Sequence, residues 1–216
     1  MLDVHVPHEP ILGWKEFFVH LFTITIGLLI ALSLEGLVEW QHHRHLVHEA
    51  EASLHDEITH NSGALQETLN GLHKNQDDLK HDVILLKDVI RNGKMPHHEQ
   101  MNVSFGIHGF GSVAWKTAQA TGAAAYMPYA HAHSYADIYV TQDELAEAEK
   151  QAARDAIVSL APFMNLSDKG PDLSKEQAAA IRDKIELLQG QLLLVDSLMQ
   201  ALDKSYQKFL SEHPER

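Results

Sequence analysis

Residues 17–34 read FFVHLFTITIGLLIALSL, 18 positions without Asp, Glu, Lys or Arg. As a helix this stretch is about 27 Å long, close to the ~30 Å hydrocarbon core of a bilayer. Trp14 and Trp40 bracket it. On a helix they stand about 39 Å apart, which puts both indoles at headgroup level. A signal peptide is the competing reading, with Ala31-Leu32-Ser33 as a weak cleavage site. Signal cores usually run only ~7–15 residues behind a basic leader. Here Lys15 is the sole basic residue beside Asp3, Glu9 and Glu16. The pattern therefore predicts a retained, single-pass transmembrane helix.

Orientation is weakly written. Lys15 and the amino terminus stand on one side and Arg44 on the other, so the positive-inside count nearly balances. The expectation is a short cytoplasmic tail (1–13), an anchor (14–40) and a helical bundle domain (41–216) on the extracytoplasmic side. A tail that short would leave no room for a signalling domain across the membrane.

The other 176 positions of the 216-residue chain suffice for one domain. A formal charge of −13 excludes nucleic acid as a partner, because no basic surface neutralises phosphates. It also disfavours polybasic contact with anionic lipid. With no Cys there is no disulfide or thiol chemistry, and 17 His make the net charge sensitive to pH.

Beyond the anchor, helix periodicity dominates. A helix beginning near Trp14 meets no strong breaker before Gly93 and Pro96, only Gly36, Gly63 and Gly71. Its seam is Val47, Leu54, Ile58, Leu65, Leu69, Leu72, Leu79, Val83, Leu86 and Ile90, with Gln76 interposed. Steps of four and three mark coiled-coil or bundle packing. Gly93 to Gly111 reads as a connection, and the brief alternation over Asn102–His108 falls within it as loop. A short helix spans Ser112–Ala120 and another begins near Tyr129 and runs to about Ala161. Its apolar positions include Tyr135, Ile138, Leu145, Ala152, Ala156, Leu160 and Phe163. Thr141–Glu144 matches a capping box, which leaves room for a break or restart within this helix. Asn165–Pro171 reads as a turn, and Ser174 with Gln177 as a second capping box. The last helix has the cleanest seam: Ile181, Ile185, Leu188, Leu192, Val195, Met199, Leu202, Tyr206 and Phe209. The expected fold is all-α: a single N-terminal transmembrane helix continuing into an elongated antiparallel helical bundle.

Histidines are the first candidates for chemistry. His42, His43, His45 and His48 follow the anchor, then His55 and His60. Glu39 with His42 and Glu57 with His60 are Glu-x-x-His pairs, but both fall on one helix about 27 Å apart and cannot share a metal. Glu39 with His43 and Glu51 with His55 offer two ligands each, short of the four of a structural zinc site. A solvated polar face is the preferred reading, with a pH-responsive collar as an intermediate one. His97, His98, His108, His131 and His133 form a second set, also read as surface. A metal enzyme would need His97 or His108 to meet His131 or His133. No nucleophile, phosphate-loop or dinucleotide motif is present. The reading assigns no catalytic residues, cofactor or metal.

On the anchor, His20, Thr23, Gly27, Ala31 and Glu35 share one face. Small residues at Thr23, Gly27 and Ala31 allow close helix approach, and His20 in lipid seeks a partner. This face is the candidate site for membrane-helix association.

Gly27-Leu28-Leu29-Ile30-Ala31-Leu32 resembles the anchor of uncharacterised bacterial single-span membrane proteins with a domain of unknown function. Ala118–Ala123, Met127-Pro128-Tyr129 and Tyr135–Tyr139 resemble the centre of their soluble domain. Leu37 stands where that pattern has tryptophan, which comes later as Trp40, and the usual basic N-terminus is missing. The resemblance implies the bacterial inner membrane and a periplasmic helical domain, and carries no functional residues. In that centre, Tyr126, Tyr129, Tyr135 and Tyr139 are expected to pack on the long helices, hydroxyls at the rim.

The function expected is a non-enzymatic accessory or scaffold protein of the membrane, a homo-oligomer or a subunit of a membrane protein complex. The alternative is a sensor or binding module taking a metal, protons or a small ligand through the His-rich or Tyr-rich regions.

Overall fold

The computed structural model describes residues 13–94, 101–102, 106–164 and 173–213, with backbone alone at 159–160 and 162–164. Pro7, Pro10, Pro96, His97, His98 and the Asn165–Pro171 turn lie outside the described residues, as do the side chains of Leu160 and Phe163. The described residues are all-α, with no strand among them. The elements are α1 (Trp14–Asn92), α2 (Val113–Ala120), α3 (Ala123–Tyr126), α4 (Tyr129–Met164) and α5 (Lys175–Glu212). The chain divides into two compact units after His48.

The first unit carries the apolar stretch. It holds an 18-residue window of mean hydropathy 2.3, none of it buried, long and apolar enough to cross a membrane. Three hydroxyls within it bond back to the carbonyl one turn earlier: Thr23 to Val19, Thr25 to Leu21 and Ser33 to Leu29, at 2.7–2.8 Å. This removes most of the cost of placing a hydroxyl in an apolar surrounding. Trp14 stacks on Phe18, and the Arg44 guanidinium sits 5.4 Å over the Trp40 ring.

In the second unit the predicted seams are the core. Leu54, Ile58, Leu65, Leu69, Leu72, Leu79, Val83 and Leu86 of α1 are buried and Ile90 is half-buried; Val47, also half-buried, belongs to the first unit. All nine seam residues of α5 are buried. On α4, Tyr135, Ile138, Leu145, Ala152 and Ala156 are buried. Each large side chain so covered contributes about 1.5–3 kcal/mol.

Among the described residues, side chains link α1 to α5 and its C-cap at several places. His55 reaches His213, Ser62 meets Gln207, Gln66 meets Asp203, His73 meets Asp196, and Gln76 reaches the Leu192 carbonyl. Residue numbers climb on one helix as they fall on the other.

Helix ends follow local chemistry. At α1 the chain turns at Gly93 (φ +76°), whose N–H donates to the Val89 carbonyl at 2.8 Å. Glycine takes this left-handed conformation without a Cβ penalty. Ser174 and Gln177 form the predicted capping box at the start of α5. The Thr141 box does not cap: α4 runs through it, and the Thr141 hydroxyl donates back to the Asp137 carbonyl. Local pattern alone cannot stop a helix whose flanking residues continue it. Two tyrosines also depart from expectation. Tyr126 and Tyr129 are 52% and 83% exposed, whereas Tyr135 and Tyr139 are buried.

Candidate functional site

The described residues between α1 and α2 (93–94, 101–102 and 106–112) lie outside regular structure, and such backbone must still be satisfied. Here side chains of the helices do so. Asp82 of α1 accepts the Asn102 N–H with both oxygens (3.1 and 3.2 Å), and Asp78 takes the Asn102 side-chain amide. Glu149 of α4 accepts the His108 N–H at 3.1 Å and meets His108 Nδ1 at 3.3 Å. Asn61 of α1 grips Gly111 from both sides at 2.8 Å: its Oδ1 accepts the Gly111 N–H and its Nδ2 donates to the Gly111 carbonyl. Gln142 donates to the same carbonyl at 3.0 Å. Glu57 then accepts the Ala114 N–H at 3.0 Å.

That last contact is a helix cap supplied from another helix. Ser112 occupies the N-cap position of α2 and makes no side-chain cap bond. Glu57 provides the missing acceptor, and its negative charge suits the positive end of the α2 dipole. Its other oxygen accepts the Tyr139 hydroxyl at 2.6 Å, and the Trp115 ring stacks on Tyr139 at 5.6 Å. A side chain at 111 would be tight. A Cβ there would stand 3.2 Å from Glu57 Cγ and Oε2 and 3.3 Å from Asn61 Oδ1.

The electrostatics follow burial. Burial pushes the Asp82 carboxyl up, and the Asn102 N–H partly offsets this. Burial pushes Glu149 up likewise, opposed by its contacts with His108. Tyr139 is held far above its ordinary value by burial, then by the Glu57 carboxylate, so its phenol stays protonated and donates. Burial also raises Tyr135 and Tyr206, with Glu51 and Glu57 respectively adding to it. Tyr206 lies beside Asn61 with its hydroxyl buried and without a well-formed hydrogen bond.

These are the residue types of acid–base chemistry, but most of their polar atoms are already committed to this chain's own backbone and side chains. The cavity beside Glu149, lined by Leu72, His108, Leu192, Val195 and Met199 among others, measures about 10 Å³. That is at most one water. The arrangement clamps the described residues of this segment, and the cavity beside Glu149 is too small for a ligand.

The structure places His20, Thr23, Gly27, Ala31 and Glu35 on the exposed surface of α1 in the first unit. A Cβ at Gly27 would meet nothing within 4 Å. Several histidines pair with carboxylates. His131 Nδ1 meets Glu51 at 2.8 Å, His133 meets Asp137 at 2.9 Å, and His108 is held by Glu149. Glu57 turns to Tyr139 while its partner in the Glu-x-x-His spacing, His60, is exposed. Among the described residues no group of three or more His, Asp or Glu is gathered for direct metal coordination.

Comparison of the chain with protein-family models, curated proteins and solved structures finds no match.

Sequence reasoning missed Asn61, Asp82, Gln142 and Glu149, all buried polar residues of the clamp. A signal was present at two of them. Asn61 stands three after Ile58 and four before Leu65, and Glu149 four after Leu145 and three before Ala152. Each fills an empty place in a seam.

Proposed function

We propose that this chain is a single-span protein of the bacterial inner membrane, an accessory or scaffold subunit without catalysis. Its second unit is read as an elongated antiparallel bundle on the periplasmic side. The observation that carries this reading is the window of mean hydropathy 2.3 in the first unit, none of it buried, whose hydroxyls are satisfied by their own helix. Such a surface suits lipid and is costly in water. The climbing and falling residue numbers of the α1–α5 links support the antiparallel arrangement. The commitment of Glu57, Asp82 and Glu149 to the chain's own backbone supports a structural rather than catalytic role.

Association through His20, Thr23, Gly27, Ala31 and Glu35 belongs to this reading. An interior glycine costs a helix about 1 kcal/mol against alanine. The open space around Gly27 shows no compensating contact within its own unit, and close approach of another helix would supply one. The resemblance of the Gly27–Leu32 run to single-span bacterial anchors agrees with it.

The absence of native Cys makes a direct test clean. A Ser211→Cys chain in intact cells should react with a membrane-impermeant maleimide, and a Lys15→Cys chain should react only after lysis. The reverse pattern overturns the orientation, and recovery of the chain in the soluble fraction overturns the anchor. In mild detergent, Gly27→Leu should shift the mass by light scattering from oligomer to monomer if the face associates.

A further inference from the structure

In the second unit the rings of His131 and His213 pack together, with Glu51 bonded to His131 and His55 bonded to the His213 carbonyl. His55 and Glu51 come from α1, His131 from the first turn of α4, and His213 from just past α5. Every recorded hydrogen bond they make is to an atom that only accepts, and this fixes their tautomers. His131 Nδ1 meets Glu51 Oε1 at 2.8 Å, so it carries the proton. His213 Nδ1 meets the Phe209 carbonyl at 3.1 Å, and His55 Nε2 meets the His213 carbonyl at 2.9 Å, so they carry theirs. In the neutral ring the second nitrogen is then the one with a lone pair.

An Nδ1–H held by a carboxylate or a backbone carbonyl, with Nε2 left over, is how proteins prepare histidine to bind a metal. The spacing agrees. The His131 and His213 rings are perpendicular, their centroids 5.3 Å apart. Two imidazoles on one tetrahedral ion, with metal–nitrogen bonds of about 2.0–2.1 Å, have centroids about 5 Å apart. The Phe209 ring stacks on His213 at 4.6 Å and fixes its plane. The His131 side chain is 41% exposed and Glu51 30%, so an ion can enter from solvent.

We propose that His131 and His213 bind a divalent transition-metal ion such as Zn²⁺ through Nε2. Glu51 orients His131 from outside the coordination shell, and water fills the remaining positions. Neutral imidazole suits zinc, copper and nickel rather than magnesium or calcium. Two protein ligands make this an exchangeable site, and its occupancy would tie the start of α4 to the end of α5. The inference is independent of the scaffold reading, because it concerns only the second unit.

The test uses the full chain in detergent, stripped with chelator. His42, His43, His45 and His48 are first changed to Gln so that histidines next to the anchor do not compete. Calorimetric titration with Zn²⁺ should show one saturable site per chain. His131→Gln or His213→Gln should weaken it at least tenfold, and Glu51→Gln roughly tenfold, as outer partners of metal ligands do. If circular dichroism shows that a variant has not folded, the Cu²⁺ electron paramagnetic spectrum of the parent decides by its imidazole-nitrogen coupling. The proposal is overturned by no saturable uptake, by uptake that both His→Gln variants retain, or by a copper spectrum without imidazole nitrogen.

Discussion

Asn61→Ala tests the clamp where its energetics are most local. Asn61 is 1% exposed and spends its amide on Gly111, accepting from the N–H and donating to the carbonyl at 2.8 Å each. Two neutral hydrogen bonds are worth about 2 kcal/mol net, and a stranded buried N–H adds about 1–2 more. The carbonyl keeps Gln142 at 3.0 Å, so only the Gly111 N–H is stranded. Alanine returns roughly 0.5 kcal/mol through its better helix propensity. The net loss should be about 3 kcal/mol, read from urea unfolding of the full chain in detergent by circular dichroism. Hydrogen exchange supplies a local readout. Gly111 should exchange at the rate of an open loop while amides near Leu192 and Leu202 stay protected. A loss under about 0.5 kcal/mol, with Gly111 still protected, would refute the view that Asn61 holds this segment.

Glu57→Gln should lower stability by about 1–2 kcal/mol, because one of its two acceptor oxygens becomes a donor facing either the Ala114 N–H or the Tyr139 hydroxyl. The thermal midpoint checks this, and an unchanged midpoint counts against the supplied cap. Burial holds the Asp82 and Glu149 carboxyls above their ordinary 3.8 and 4.5. The native chain then binds more protons than the unfolded chain in that window, so their contribution is fully present below the ordinary values and lost as pH rises through the raised ones. The stability advantage of the unaltered chain over an Asp82→Asn, Glu149→Gln double variant should therefore shrink as pH rises above the ordinary values of 3.8 and 4.5; a constant or growing advantage contradicts it. Ser174→Ala removes half of the capping box and should cost about 1 kcal/mol, with fraying at residues 175–178 visible by hydrogen exchange.

The α5 seam was legible because its period is local: nine residues in steps of four and three, all buried. The Ser174 box was legible because its two partners are three residues apart. The clamp was not, because Asn61 and Gly111, or Glu149 and His108, are tens of residues apart, and one chain carries no record of such pairing. Polarity also misled. A polar residue in a seam reads as a gap, yet Asn61 and Glu149 are buried because an irregular segment needs their acceptors. The histidines illustrate the converse. His131 and His133 read as surface residues, whereas the structure turns His131 to Glu51 of α1 and His133 to Asp137.

The α1–α5 links also carry a timing. Phe209 lies against His55, yet it joins the growing chain on the order of 150 residues later, roughly ten seconds at ordinary rates of synthesis. Through that interval the apolar side of α1 waits without its own α5, and the α5 of a neighbouring nascent copy competes for it. How closely ribosomes crowd on one message would then decide what fraction of chains ends up exchanged.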